Sequence, residues 1–139
     1  MKRVLLCTGK VYYDLLEKQQ ADKRKDVAIV RIEQLYPTPL VQILKVKAKY
    51  NRAEFIWVQE EPENMGAWPY ICRKFHNDKL INLNVISRHE GSSTATGFAK
   101  QHAAQQLHVV SKAFEAPPGK AVKAAVKATA EKMANVGAD

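Results

Sequence analysis

The pattern of apolar runs predicts an α/β fold: a three-layer sandwich with a mostly parallel sheet flanked by helices. Three observations predict it. Short runs rich in β-branched and aromatic residues recur at Val4–Cys7, Val27–Val30 and Phe55–Val58. Stretches with apolar residues at helical spacing lie between them. Polar or proline-bearing breaks separate the two kinds of segment.

Taken in order, Arg3 to Thr8 reads as the first strand, and Thr8-Gly9 turns it into a helix with Tyr12, Leu15 and Leu16 on one buried face. Lys18 to Asp26 is polar, so the helix ends within it and the connection lies in water. Val27-Ala28-Ile29-Val30 is the second strand, continuous in apolar residues as a strand covered on both faces should be. In the following turn, RIEQLYPTP, Pro37 and Pro39 forbid an immediate helix, and Thr38 is placed to cap one starting at Pro39. That helix packs through Leu40, Ile43, Leu44 and the stem of Lys47. Glu54 to Gln59 is the third strand.

An acidic loop follows, with Glu60, Glu61, Glu63 and Asn64 punctuated by Pro62 and Gly66. Trp68-Pro69 opens the next helix, where a missing N–H costs little. Ile81, Leu83, Val85 and Ser87 alternate with Asn82, Asn84 and Ile86, which predicts a fourth strand at a sheet edge. Arg88 to Ala95 is a polar loop, and Thr94 or Thr96 can cap the last helix. Ala99, Ala103, Leu107, Val110 and Phe114 run down one side of that helix, the stripe of a helix lying on a sheet. Ala116-Pro117-Pro118-Gly119 breaks the chain, which divides it into an α/β domain over residues 1–115 and an alanine- and lysine-rich tail over 116–139. The tail reads as mobile, with Val122, Val126 and Met133 as weak anchors.

The 139 residues fit one core, and 46% hydrophobic with 26% charged residues is ordinary for a globular domain. The net charge of +8 comes from scattered basic residues. The densest cluster, Lys23-Arg24-Lys25, is flanked by Asp22 and Asp26 and reads as a solvated turn, so no nucleic-acid partner is expected. No run reaches the roughly 20 apolar residues of a membrane helix, and no targeting segment opens the visible chain. A chain that begins almost directly on a strand looks cut from a longer one. The two cysteines, Cys7 and Cys72, fit neither a disulfide scaffold nor a metal site and read as buried reduced thiols.

Loops at the carboxyl ends of strands are where α/β domains meet ligands and partners, which directs attention to residues 60–68. Glu60 and Glu61 invite an acid/base reading, but neighbours on an extended chain point to opposite faces, which favours ion pairing or capping. His76, His89, His102 and His108 show no metal spacing. Thr8-Gly9-Lys10 sits where a phosphate loop would, without its glycine series. Gly91 to Gly97, beside Arg88, is the stronger anion candidate, although its hydroxyls can equally cap their own helix.

The runs RVLLCTGKVYYDL, DVAIVRIEQLYPTP, FIWVQEEPENMGAW and SRHEGSSTATGFAKQHAAQQ together resemble the C-terminal domain of the thiamine-dependent component of 2-oxoglutarate dehydrogenase, over about residues 2–115. The resemblance implies a transketolase-like C-terminal fold. It implies a parent chain that uses thiamine diphosphate and magnesium to decarboxylate 2-oxoglutarate and passes the succinyl group to lipoate. In that family the cofactor groups lie mainly in the preceding domains, so this piece is expected to hold no cofactor, metal or catalytic residue and to be inactive by itself. Its implied role is structural and interfacial, with Glu60, Glu61, Asn64, Trp68 and Arg88 as interface residues. The implied partners are the preceding domains of the same chain, a homodimer partner and the lipoyl-bearing succinyltransferase component. A bacterial cytoplasm is the expected compartment, ahead of a mitochondrial matrix.

Some relatives also hold a regulatory acyl-CoA or nucleotide near the EQLYP turn, which brings in Arg31 and Gln34 and gives the alternative reading of a ligand-binding module. Here Val41-Gln42 after TPL departs from the arginine-rich version of that turn. Met65 stands where relatives often carry glutamine.

Overall fold

The computed structural model describes residues 1–79 and 81–115; the tail expected to be mobile, 116–139, lies outside the described residues. Strands and helices alternate throughout: β1 (Arg3–Cys7), α1 (Val11–Ala21), β2 (Val27–Arg31), α2 (Leu40–Lys49), β3 (Glu54–Pro62), α3 (Trp68–Asn77), β4 (Leu83–Arg88) and α4 (Ala99–Phe114). The sheet has the order β2-β1-β3-β4, and each neighbouring pair is parallel. The expected α/β sandwich is therefore the observed one.

Period-two alternation splits the core in two. Leu5, Cys7, Ile56, Val58 and Ile86 face α1 and α4, where they meet Val11, Leu15, Val109, Val110 and Phe114. Val4, Leu6, Phe55 and Trp57 face the other way, onto Ile43 of α2 and Ile71 and Phe75 of α3. The central strand β1 is buried along its whole length, Arg3 included.

Arg3 is 5% exposed and joins three elements. Its Nε and NH2 donate to Glu54 Oε2 at 3.1 and 2.8 Å, linking β1 to β3. Its NH1 donates to the carbonyls of Ala113 and Glu115 at 2.9 and 2.7 Å, where the last turn of α4 lacks backbone partners. Arg24 takes the Phe114 carbonyl at 2.7 Å, so two guanidiniums close the negative end of one helix.

Several expectations are corrected. The run Ala28–Val30 is half-buried, because β2 is an edge strand and only one neighbour covers its flank. Thr38 does not cap α2: its hydroxyl bonds the Leu35 carbonyl and shares a 2.9 Å hydrogen bond with Tyr70 Oη, and Pro39 takes the cap position. Leu44 is 43% exposed, since α2 leans on the sheet through Ile43 with half-buried Leu40 and Val46. The third strand runs on to Pro62 past a register shift between Val58 and Pro62, so Glu60 and Glu61 stand on a strand rather than in a loop. Arg88 closes β4 and is buried.

Neither Thr94 nor Thr96 caps α4; Phe98 holds that position in extended conformation without a side-chain hydrogen bond. Only the carboxyl-terminal half of the α4 stripe is buried, through Val109, Val110, Ala113 and Phe114. Ala99, Ala103 and Leu107 remain exposed because the first turns of α4 project beyond the sheet. Cys7 is buried as expected, but Cys72 is exposed, one position round the helix from the buried Ile71 and Phe75.

Candidate functional site at the strand ends

The sheet order changes direction at β1: the chain leaves towards β2 on one side, then returns to β3 and β4 on the other. The crevice between the carboxyl ends of β1 and β3 is the switch point, the place where open α/β sheets hold ligands. Here that crevice is filled by the domain's own side chains.

Lys10, just past β1, reaches Glu60 Oε1 on β3 at 3.0 Å and Asp14 Oδ2 at 3.2 Å. Gln106 of α4 donates from Nε2 to the same two carboxylates, at 2.6 Å to Asp14 and 3.1 Å to Glu60. The amide must present its NH2 to two anions, which leaves its buried Oε1 without a partner. The hydrogen bond from Glu60 holds the Lys10 ammonium above its ordinary pKa, against some desolvation, with Asp14 adding to it. The two carboxylates are tied to one cation, and neither is placed as an acid/base pair.

On the β2 side, Arg31 pairs with Glu33, donates to Tyr13 Oη at 3.2 Å and lies 5.2 Å from the ring centres of Tyr12 and Tyr13. Glu33 also accepts the backbone N–H of Gly9 at 3.1 Å. Its neighbours Arg31 and Gly9 hold its carboxyl below the usual range. Gly9, at φ +70°, turns β1 into α1, and its amide is thus committed to a carboxylate within the domain. Gln34 donates to the Pro37 carbonyl at 2.9 Å and steadies its own turn. Beneath this turn a cleft of about 200 Å³ is lined by Leu6, Arg31, Glu33, Gln42, Val46 and Phe55, among others.

The loop after β3 is organised by a residue that sequence reading passed over. Gln59 is 2% exposed, and its Oε1 accepts Trp57 Nε1–H at 3.0 Å and the Trp68 backbone N–H at 2.9 Å. Its Nε2 donates to the carbonyls of Pro62 and Met65 at 2.9 and 2.8 Å. One buried amide therefore fixes both ends of the 62–68 turn. The available signal was a glutamine ending an apolar strand, which needs partners once buried. Gly66, at φ +67°, packs against the Glu61 side chain so closely that a Cβ would sit 3.1 Å from it.

The remaining interface candidates cluster beside this loop. Asn64 exchanges two hydrogen bonds with Gly91, through Nδ2 to its carbonyl at 3.0 Å and Oδ1 from its N–H at 3.2 Å. Arg88 donates through Nε to the Glu60 carbonyl and through NH2 to the Thr94 carbonyl at 2.8 Å. Trp68 is half-buried at the start of α3. The structure thus brings Glu60, Glu61, Asn64, Trp68 and Arg88 to one end of the sheet, with Arg31 and Gln34 at the neighbouring corner.

A diphosphate and its metal find no cradle in these groups. Among the described residues no three His, Cys, Asp or Glu side chains gather to hold a metal ion, and the Gly9 amide is taken by Glu33. Burial pushes the Cys7 thiol up to about 12, opposed by Arg31 and reinforced by Glu33, which keeps it protonated and unreactive.

Residues 1–114 match the family model described as 2-oxoglutarate dehydrogenase C-terminal. The chain is 43% identical over 122 residues to the 2-oxoglutarate dehydrogenase E1 component of Azotobacter vinelandii, covering 82% of this chain and 13% of that protein. It is 43% identical over 119 residues to the E1 component of Haemophilus influenzae, covering 82% and 12%. It is 42% identical over 121 residues to the E1/E2 component of Corynebacterium glutamicum, covering 84% and 10%. The chain therefore spans about an eighth or less of these relatives. Among solved structures, a split gene transketolase described as an inactive beta4 tetramer superposes with a TM-score of 0.55 at 12% identity, over 81% of this chain and 38% of that one. That likeness concerns the fold.

Proposed function

The chain belongs to the 2-oxoglutarate dehydrogenase C-terminal family, and on that premise we propose that it serves as the scaffold and interface domain of an E1 chain. The complete chain would decarboxylate 2-oxoglutarate with thiamine diphosphate and magnesium and transfer the succinyl group to lipoate on the succinyltransferase component. The preceding domains would supply that chemistry, in a bacterial cytoplasm and in a homodimer. This domain would contribute contact surface.

One observation carries the reading. At the strand ends Lys10, Asp14, Glu60, Arg31 and Glu33 are all engaged inside the domain. Around them Tyr13, Tyr36, Val41 and Phe98 stand 56, 83, 64 and 75% exposed on the first turns and loops at that same end. Apolar groups ringing a neutralised polar centre make a docking face. The interface residues Glu60, Glu61, Asn64, Trp68 and Arg88 underlie this face, with Trp68 as its partly covered aromatic anchor. Introducing Phe98→Glu or Tyr36→Asp into a full-length E1 tests it. Decarboxylation and dimer stability should fall together, while the isolated domain carrying the same change keeps its unfolding midpoint. Unchanged activity and assembly would refute the role.

A second reading rests on the cleft beside the EQLYP turn, whose rim carries Arg31, Glu33 and Gln42. An acyl-CoA or nucleotide bound there would regulate the parent enzyme through Arg31 and Gln34. Calorimetric titration with acetyl-CoA and with AMP, at moderate salt so that the net charge does not mimic specificity, decides it. Saturable binding lost in Arg31→Ala or Gln34→Ala supports this reading; no heat removes it.

A further inference from the structure

We propose that the outer edge of β4 is a self-association edge, through which two copies of this chain pair β4 to β4 in antiparallel fashion about a two-fold axis. β4 is the terminal strand of the sheet, and no described strand lies beyond it. Half of its backbone N–H and C=O groups therefore face outward, a template for another strand. Leu83 and Val85 are half-buried and Asn84 is exposed, so the edge is neither charged nor blocked by proline.

The charges at its two ends are opposite in sign. The hollow at the amino end is lined by His76, Lys79 and Cys72 beside Ile81. The hollow at the carboxyl end carries Glu63 and Glu90, with His89 and Lys112. Lys79 comes six residues before Val85 and Glu90 five residues after it. An antiparallel pair centred on Val85 therefore sets Lys79 of each copy against Glu90 of the other, twice, as a two-fold axis requires. The opposite edge offers no such match: β2 is flanked by Lys25 and ends in Arg31, so self-pairing there would oppose like charges. Self-complementarity makes a second copy the occupant. The β4 edge acts in the isolated chain whether or not the E1 reading holds.

Sedimentation equilibrium of the 139-residue chain, from micromolar to several hundred micromolar, should show a monomer–dimer equilibrium. Lys79→Glu and Glu90→Lys should each weaken association by about tenfold or more, since each opposes like charges at two points. The double variant should restore it. Both residues are exposed, so unfolding midpoints should stay in place. Asn84→Lys, which brings two lysines close across the axis, is an independent variant and should also dissociate the pair. A monomer at every concentration would overturn the proposal. So would a dimer indifferent to these changes, or a monomer whose Asn84–Ser87 amides are protected from exchange by another part of the same chain.

Discussion

Replacing Arg3 by methionine removes one side chain and disconnects three elements. The Glu54 carboxylate loses both guanidinium hydrogen bonds, and the α4 carbonyls of Ala113 and Glu115 lose their donor. Breaking a buried ion pair by deleting one partner costs roughly 3–5 kcal/mol, because the remaining charge stays desolvated. Two features place Arg3 at the lower end. The Glu54 side chain is 17% exposed, and Asn84 still donates to its other oxygen at 3.2 Å. The expected loss is thus about 3 kcal/mol, of which about 1 kcal/mol belongs to the orphaned carbonyls. In urea, with a slope of roughly 1.5–2 kcal/mol per molar for a chain of this size, the midpoint should fall by about 1.5–2 M. Arg3→Lys keeps the charge but cannot span carboxylate and helix end together, so it should fall in between. Arg24→Met, whose ion pair with Asp26 is more open to solvent, should cost under about 1 kcal/mol. An Arg3→Met midpoint within about 0.3 M of the wild type would show that Arg3 does not hold the three elements together.

Gln59→Leu should cost about 3 kcal/mol, because the Trp57 indole N–H is buried and would lose its acceptor along with the 62–68 turn; hydrogen exchange should speed up first at the Trp68 amide. The native chain should present one fast-reacting thiol, Cys72, to a thiol reagent at pH 8, and the second only on denaturation; two fast thiols would contradict the burial of Cys7. Stability should decline above about pH 9, where the unfolded chain gives up the Cys7 proton while the folded one holds it until about 12. Lys10, with its folded pKa raised by Glu60, acts in the same direction at higher pH, since the native state again binds more protons as pH rises. Urea titrations at pH 7, 9 and 10.5 read this, and Cys7→Ala should flatten the lower part of the decline.

Much of the fold was legible because each strand announces itself as a short apolar run and each helix as a periodic one. The exposure of the fourth strand showed in Asn82 and Asn84. The misreadings share a cause: local sequence does not say which neighbours arrive from elsewhere. Val27 to Val30 carries the apolar run of an interior strand, yet stands at an edge because the chain turns back past β1. Leu107 fits the α4 stripe, but α4 overhangs the sheet there. Glu60 looked like a loop carboxylate and proved to be on a strand, pinned by Lys10 from the end of β1 and Gln106 from α4. Arg3 and Gln59, which hold the most hydrogen bonds in their surroundings, are single polar residues in apolar strands; only the assembled structure reveals their partners.

The central claim is that this domain supports an active site made elsewhere in the E1 chain. The most direct test uses the Azotobacter vinelandii E1 component in three forms: intact, deleted of the region matching this chain, and with this chain in its place. Decarboxylation of 2-oxoglutarate and dimer formation are measured for each, beside the isolated 139-residue chain. The deletion should lose both properties, the chimera should regain them, and the isolated chain should show no turnover. Full turnover by the deleted enzyme, or any by the isolated chain, would contradict the account.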